Sequence, residues 1–218
     1  MAKADLENTL YLDVPAGRVV IEMRPDVAPG HVAHIKALAR KGFYDGIVFH
    51  RVIEGFMAQT GCPHGTGTGG SGKNIKAEFN KEPHVRGTAS MARAQHPDSA
   101  DSQFFICFDN ANFLDGQYTV WGKVTSGMEF IDAIKKGNPR DNGSVSNPDK
   151  IIKMQVAADA EPAKPKAAAK PKAAAKPKAE AEKKPAAKKP AAKKPAAAKT
   201  AAAKTEAKPK KAAAPKKK

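Results

Sequence analysis

The sequence predicts a mainly β fold, a closed barrel with two helices over its open ends, followed by a disordered basic tail. Three observations carry that prediction. Short β-favouring segments recur between glycine-rich turns over residues 1–157, only two stretches there show helical periodicity, and after Ala157 the chain turns to Lys, Ala and Pro. Closing a sheet of many short strands removes exposed edges, and two helices suffice to cover what stays open.

Residues 9–14 and 18–23 are rich in β-formers and flank Pro15-Ala16-Gly17, a turn between two antiparallel strands. Pro29 and Gly30 lead into a helix over residues 31–41, where Val32, Ile35, Leu38 and Ala39 share one face and Gly42 supplies the stop. Segments 47–53, 88–93, 103–108 and 119–124 hold β-branched, aromatic and small residues and read as strands. A second helix is predicted over residues 126–136: Ser126 and Glu129 have capping-box spacing, Met128, Ile131 and Ile134 form a stripe, and Gly137 ends it. Ile152, Met154 and Val156 alternate with Lys153 and Gln155, giving a last strand.

Charge divides the chain into two parts, a folded domain over residues 1–157 and a tail over residues 158–218. Residues 1–160 hold 18 basic and 18 acidic side chains, whereas residues 161–218 hold 20 Lys and 4 Glu, so the whole formal charge of +16 lies in the tail. That tail has too little apolar surface to offset chain entropy, and Pro165, Pro171, Pro177, Pro185, Pro190 and Pro195 interrupt any helix. Its composition resembles the tails of linker histones and bacterial histone-like proteins, and its lysines suit non-specific binding to DNA or RNA. Two cysteines, Cys62 and Cys107, outside any Cys-x-x-Cys pair, are expected as reduced thiols. The sequence has neither a signal-like apolar run near Met1 nor a stretch of about 18 apolar residues, so a soluble, cytoplasmic protein is expected.

Two motifs carry chemistry: Phe49-His50-Arg51-Val52-Ile53-Glu54-Gly55-Phe56-Met57-Ala58-Gln59, and Ser102-Gln103-Phe104-Phe105-Ile106-Cys107 with Phe113-Leu114-Asp115-Gly116 after it. Together they closely resemble the cyclophilins, over residues 10–156. The resemblance implies an eight-stranded antiparallel barrel capped by two helices. It also implies a monomeric peptidyl-prolyl cis/trans isomerase that needs no cofactor and acts on proline-containing peptides and unfolded protein clients. The reaction is rotation about an X–Pro amide, against a barrier of about 18–20 kcal/mol. No bond breaks; the catalyst must stabilise a twisted amide whose nitrogen has regained its lone pair.

Arg51 is the natural donor, a permanently charged fork of N–H groups that can hydrogen-bond the prolyl nitrogen. The resemblance assigns it that role. It also makes Phe56, Met57, Phe105 and Leu114 walls of a pocket for the proline ring, with Gln59 and Gln103 bonding substrate and orienting the arginine. Ala92, Arg93 and Ala94 are to pair through their backbone with the peptide before proline. Phe104 and Ile106 should face the other side of their strand. Three positions depart from the family: Arg93 stands where many members have asparagine, Phe113 where eukaryotic members have tryptophan, and Tyr118 where a pocket histidine is common.

Other signals are read as structural. Residues 65–74 mimic a phosphate loop, but Asn74 stands where a metal-binding hydroxyl is needed and Pro83 follows. His64, His84, His96 and Cys62 fit no zinc spacing, and Cys107 sits in an apolar strand. Two rival functions remain on this reading: a non-catalytic proline-peptide adaptor, which would bind without accelerating rotation, and a nucleic-acid-packaging protein with a vestigial isomerase domain.

Overall fold

The computed structural model describes residues 5–160, and the tail from residue 161 lies outside the described residues. Alternation sets the first hairpin: Leu10, Leu12 and Val14 of β1 (Thr9–Val14) point inward opposite Ile21, Val19 and Gly17 of β2 (Gly17–Met23), leaving Pro15 and Ala16 as the turn. Gly17 lies so close to the Phe130 ring that a Cβ there would meet it at 2.6 Å. Six more strands follow: β3 (Arg51–Ile53), β4 (Met57–Thr60), β5 (Thr88–Met91), β6 (Phe104–Cys107), β7 (Val120–Ser126) and β8 (Lys153–Val156). All neighbours pair antiparallel in the order β3-β4-β6-β5-β7-β2-β1-β8, a sheet that curls into a half-barrel.

The concave core gathers Leu10, Leu12, Ile21, Phe104, Ile106 and Trp121, all fully buried. Helix α1 (Pro29–Arg40) lays Val32, Ile35, Leu38 and Ala39 on it and packs against β8, while α2 (Met128–Asp132) packs against β2. Pro29 occupies the first turn of α1, where its missing N–H is harmless, and Gly42 follows the helix at φ +67°.

Two sequence expectations are corrected. The second helix is one turn and a half, not residues 126–136, because β7 keeps pairing with β2 through Ser126 (opposite Val20); Ser126 therefore cannot cap. Gly127, at φ +82°, turns the chain instead, and the helix closes at Ala133, well before Gly137. Second, the strand expected over residues 47–53 shortens to three residues, and Met57–Thr60, which has a single β-branched residue, forms a strand of its own. After the last strand, a 3₁₀ turn at Ala157–Asp159 carries Asp159 onto Arg40, 2.7 Å from its Nε. Among the described residues, no helix is long and apolar enough to cross a membrane.

Candidate active site

Antiparallel register aligns the expected site residues across three strands. Arg51 of β3 stands opposite Gln59 of β4, and Gln59 opposite Phe105 of β6. Because side chains alternate, Phe104 and Ile106 join the core, whereas Phe105 and Cys107 face outward with Met57, Ala111 and Leu114 in a second apolar cluster. Ile53, Phe56, Ala92 and Tyr118 pack around that cluster.

A cavity of about 120 Å³ opens on it, lined by Arg51, Phe56, Met57, Gln59, Ala92, Arg93, Phe105, Leu114 and Tyr118. Ala94 and Gln103 line a neighbouring, more polar cavity of about 260 Å³ that shares Gln59, Ala92 and Arg93 with the first. Phe113 alone of the expected residues lines neither: it is 66% exposed, its ring 5.4 Å from that of Phe56 at the rim.

Arg51 is half-buried, and burial pulls its pKa down while the Tyr118 hydroxyl opposes this; a guanidinium nonetheless keeps its charge. Its Nη1 donates to Gln59 Oε1 at 3.2 Å, its Nη2 to Asn142 Oδ1 at 2.9 Å and its Nε to the Asn142 carbonyl at 3.0 Å. A guanidinium has five N–H groups. Subtracting these three leaves two, one on each terminal nitrogen, without a partner among the described residues. Gln59 Nε2 donates in turn to Gln103 Oε1 at 3.0 Å.

The Arg93 side chain folds back over Tyr118, with its guanidinium carbon 4.7 Å from the ring centre, and donates to the carbonyls of Ala94, Gln95 and Gln117. The Ala92 and Ala94 N–H groups are taken by the Gln103 carbonyl and Ser99 Oγ. The Arg93 N–H and carbonyl have no partner among the described residues, so one backbone donor and one acceptor stay open beside the cavity. Cys107, beneath the cavity, is no nucleophile: burial, helped by the Asp115 charge, pushes its thiol up to about 12.

The model of the family described as cyclophilin type peptidyl-prolyl cis-trans isomerase matches residues 9–156. The chain belongs to the cyclophilins. Similar curated proteins include a probable peptidyl-prolyl cis-trans isomerase of Brucella suis, 56% identical over 170 residues that cover 72% of this chain and 87% of the relative. Peptidyl-prolyl cis-trans isomerase B of Bacillus subtilis is 50% identical over 135 residues, 61% of this chain and 94% of the relative. Among solved structures, cyclophilin AquaCyp293 from Hirschia baltica superposes with a TM-score of 0.65 at 28% identity, covering 72% of this chain and 77% of that one. A Cryptosporidium parvum cyclophilin crystallised in the presence of the dipeptide Ala-Pro superposes with a TM-score of 0.62 at 26% identity, covering 68% and 98%. This cyclophilin is a peptidyl-prolyl cis/trans isomerase.

Two parts of the site escaped the sequence reading. Asn142, which holds two of the five N–H groups of Arg51, is 91 residues away in sequence. Its only local signal is the Asn142-Gly143 pair, a left-handed turn marker that it fulfils at φ +47°. Behind Phe105, the buried His84 ring stacks at 6.1 Å and is held by Asp115 on Nδ1 (2.8 Å) and Ser90 on Nε2 (2.9 Å). His96 is no part of this cluster and caps a short turn by accepting from the Asp98 N–H.

Proposed function

We propose that Arg51 is the catalytic donor of this cyclophilin and that the cavity beside it takes the proline ring. The observation that carries this is a charged fork with two unspent N–H groups at the mouth of an apolar cavity. As the amide twists, its nitrogen becomes a hydrogen-bond acceptor that the planar ground state lacks, so the bond to Arg51 strengthens only on the way to the transition state. One such donor in a desolvated site contributes about 3–4 kcal/mol. Acceleration of about 10⁴ requires about 5–6 kcal/mol, and expulsion of water from around the amide by Phe56, Met57, Phe105 and Leu114 supplies the remainder. Gln59 orients the fork, Gln103 orients Gln59, and the open Arg93 edge pairs with the extended peptide before proline. The Ala-Pro dipeptide used with the Cryptosporidium relative fits the same class of ligand.

In this reading the protein acts as a cytoplasmic monomer on unfolded or proline-containing clients, and its 20-lysine tail tethers it to DNA, RNA or another polyanion. If about 6–10 lysines engage phosphates, affinity falls by about 10³–10⁵ between 50 and 200 mM salt. Closure of the half-barrel into a barrel is part of this reading, and what supports it is the Gly46 N–H on the Ile151 carbonyl (2.8 Å) and the Phe49 N–H on that of Asp149 (2.9 Å).

The test is isomerisation of an Ala-Pro peptide, followed by protease coupling or exchange NMR, for wild type, Arg51→Ala and a chain lacking residues 161–218. Turnover that survives tail deletion and falls by about 10²–10³ in Arg51→Ala is expected. Wild-type rates in Arg51→Ala would remove the donor role, and peptide binding without acceleration by the wild type would favour an adaptor.

A further inference from the structure

The glycine-rich segment that mimics a phosphate loop has its own task in the structure. Gly65, Gly67 and Gly72 sit at φ +66°, +86° and +86°, conformations that turn successive N–H groups inward. What fills the resulting concavity is the chain's own sulfur: Cys62 Sγ, fully buried, accepts from the N–H groups of Gly67 (3.3 Å) and Gly69 (3.2 Å). Asp101 fastens the far end, accepting from the Gly72 and Lys73 N–H groups at 2.8 and 3.3 Å.

The carbonyls of Gly67 and Gly69 are spent as well. Both accept from Gln103 Nε2, each at 2.8 Å. Two acceptors on one side leave Gln103 a single satisfactory orientation, since a flipped amide would set its oxygen against two carbonyl oxygens. With Nε2 fixed on the loop, Oε1 faces Gln59 Nε2 (3.0 Å), and that contact turns Gln59 Oε1 towards Arg51 Nη1 (3.2 Å). The chain of donors therefore runs one way, from the guanidinium through two amides to the loop, whose own N–H groups end on sulfur.

We infer that Cys62 is a positioning residue for Arg51, holding the loop so that its two carbonyls dictate the orientation of Gln103, then of Gln59, and so present an acceptor to the arginine. This rests on the reading of Arg51 as catalytic donor. Burial raises the Cys62 thiol, but the backbone N–H groups of Gly69, Thr66, Gly67 and His64 outweigh burial and leave its pKa lowered, which suits the sulfur to accepting. Without that acceptor the Gly67 and Gly69 N–H groups lose their partner and the carbonyl pair loosens. Gln103 and Gln59 can then flip, and Gln59 would present an NH₂ group to a guanidinium that can only donate.

The experiment uses the full chain with Cys62→Ala and Cys62→Ser, each alone and combined with Gln103→Ala. It measures kcat and KM for an Ala-Pro peptide and the ¹⁵N–¹H signal of Arg51 Nε. Cys62→Ala is expected to lower kcat/KM about tenfold, mainly in kcat, and to move the Nε signal; small misplacements of a reacting group have costs of this order. Serine, which keeps an acceptor, should fall between wild type and alanine. In the Gln103→Ala background the Cys62 substitutions should cost nothing further. A kcat/KM within twofold of wild type, or an equal loss in the Gln103→Ala background, overturns the inference. If Cys62→Ala does not fold, Cys62→Ser is read instead, and a kcat/KM equal to wild type, or an equal loss in the Gln103→Ala background, overturns the inference. Activity lost in Arg51→Ala but unaffected by Cys62 removes this inference alone, whereas full activity in Arg51→Ala removes the reading beneath it.

Discussion

Replacing Asn142 by glycine tests how much of the catalytic power proposed for Arg51 lies in its orientation. Asn142 holds the fork from two sides, through its carbonyl on Nε at 3.0 Å and its side-chain oxygen on Nη2 at 2.9 Å. Glycine keeps the first contact and the left-handed backbone at φ +47°, whereas alanine would add strain of about 1–2 kcal/mol that has nothing to do with the arginine. The lost bond is charge-assisted, worth about 1.5–3 kcal/mol in a sheltered site. Asn142 is exposed, and solvent reduces that to about 0.5–1.5 kcal/mol. At about 1.4 kcal/mol per decade, kcat/KM should fall about two- to tenfold, with a change in unfolding free energy under about 1 kcal/mol from the added backbone freedom. Protease-coupled turnover alongside urea unfolding reads both quantities. A rate equal to wild type would mean that Gln59 and the carbonyl suffice. A loss as large as that of Arg51→Ala would mean that residues 138–144 had come away from β3, and either result refutes the division of labour proposed for the fork.

Three further perturbations probe the scaffold. His31 is buried, and burial holds its pKa below the ordinary value against the opposing pull of Glu78, 2.7 Å from Nδ1. The unfolded chain therefore takes up a proton that the folded one refuses: stability is complete above about pH 6.5 and falls as pH drops towards the folded value, by up to about 1.4 kcal/mol per pH unit. His31→Gln should remove that share of the slope in urea unfolding between pH 7 and 5, leaving the share of His50, also held low by burial; an unchanged slope would refute the assignment. Cys107, at about 12, should resist a thiol reagent at pH 8 until denaturant is added, and rapid labelling of the native protein would contradict its burial. Gly127→Ala places a Cβ against the Arg18 carbonyl at φ +82° and should cost at least about 2 kcal/mol; a loss below about 0.5 kcal/mol would show that the α2 turn can relax.

Long local patterns made most of the fold legible in the sequence. The β1–β2 alternation, the α1 stripe with its glycine stop and the two-sided character of Phe104–Cys107 each announce themselves within a few residues. Residues 126–136 mislead because Ser126 and Glu129 satisfy a local capping rule that a long-range pairing, Ser126 with Val20, overrides. Met57–Thr60 is recognisable as a strand only from the partners on both its sides. At the site, eleven of the twelve expected residues line one or both of two adjoining cavities, seven of them from the two motifs, which span β3, β4 and β6. Asn142 was not legible in the same way, because its partner is set by where separate segments meet, which no spacing in the chain encodes; Cys62 bonds N–H groups only five and seven residues on, but a thiol accepting from a glycine loop has no spacing signature.

At β6 the sheet is a partition one residue thick, with Phe104 and Ile106 on the core side and Phe105 and Cys107 on the pocket side. Interior and cavity surface therefore cannot drift independently as the sequence diverges. A library that varies only Phe104 and Ile106, neither of which touches solvent, should return folded variants whose peptide preference has changed although every pocket side chain is intact.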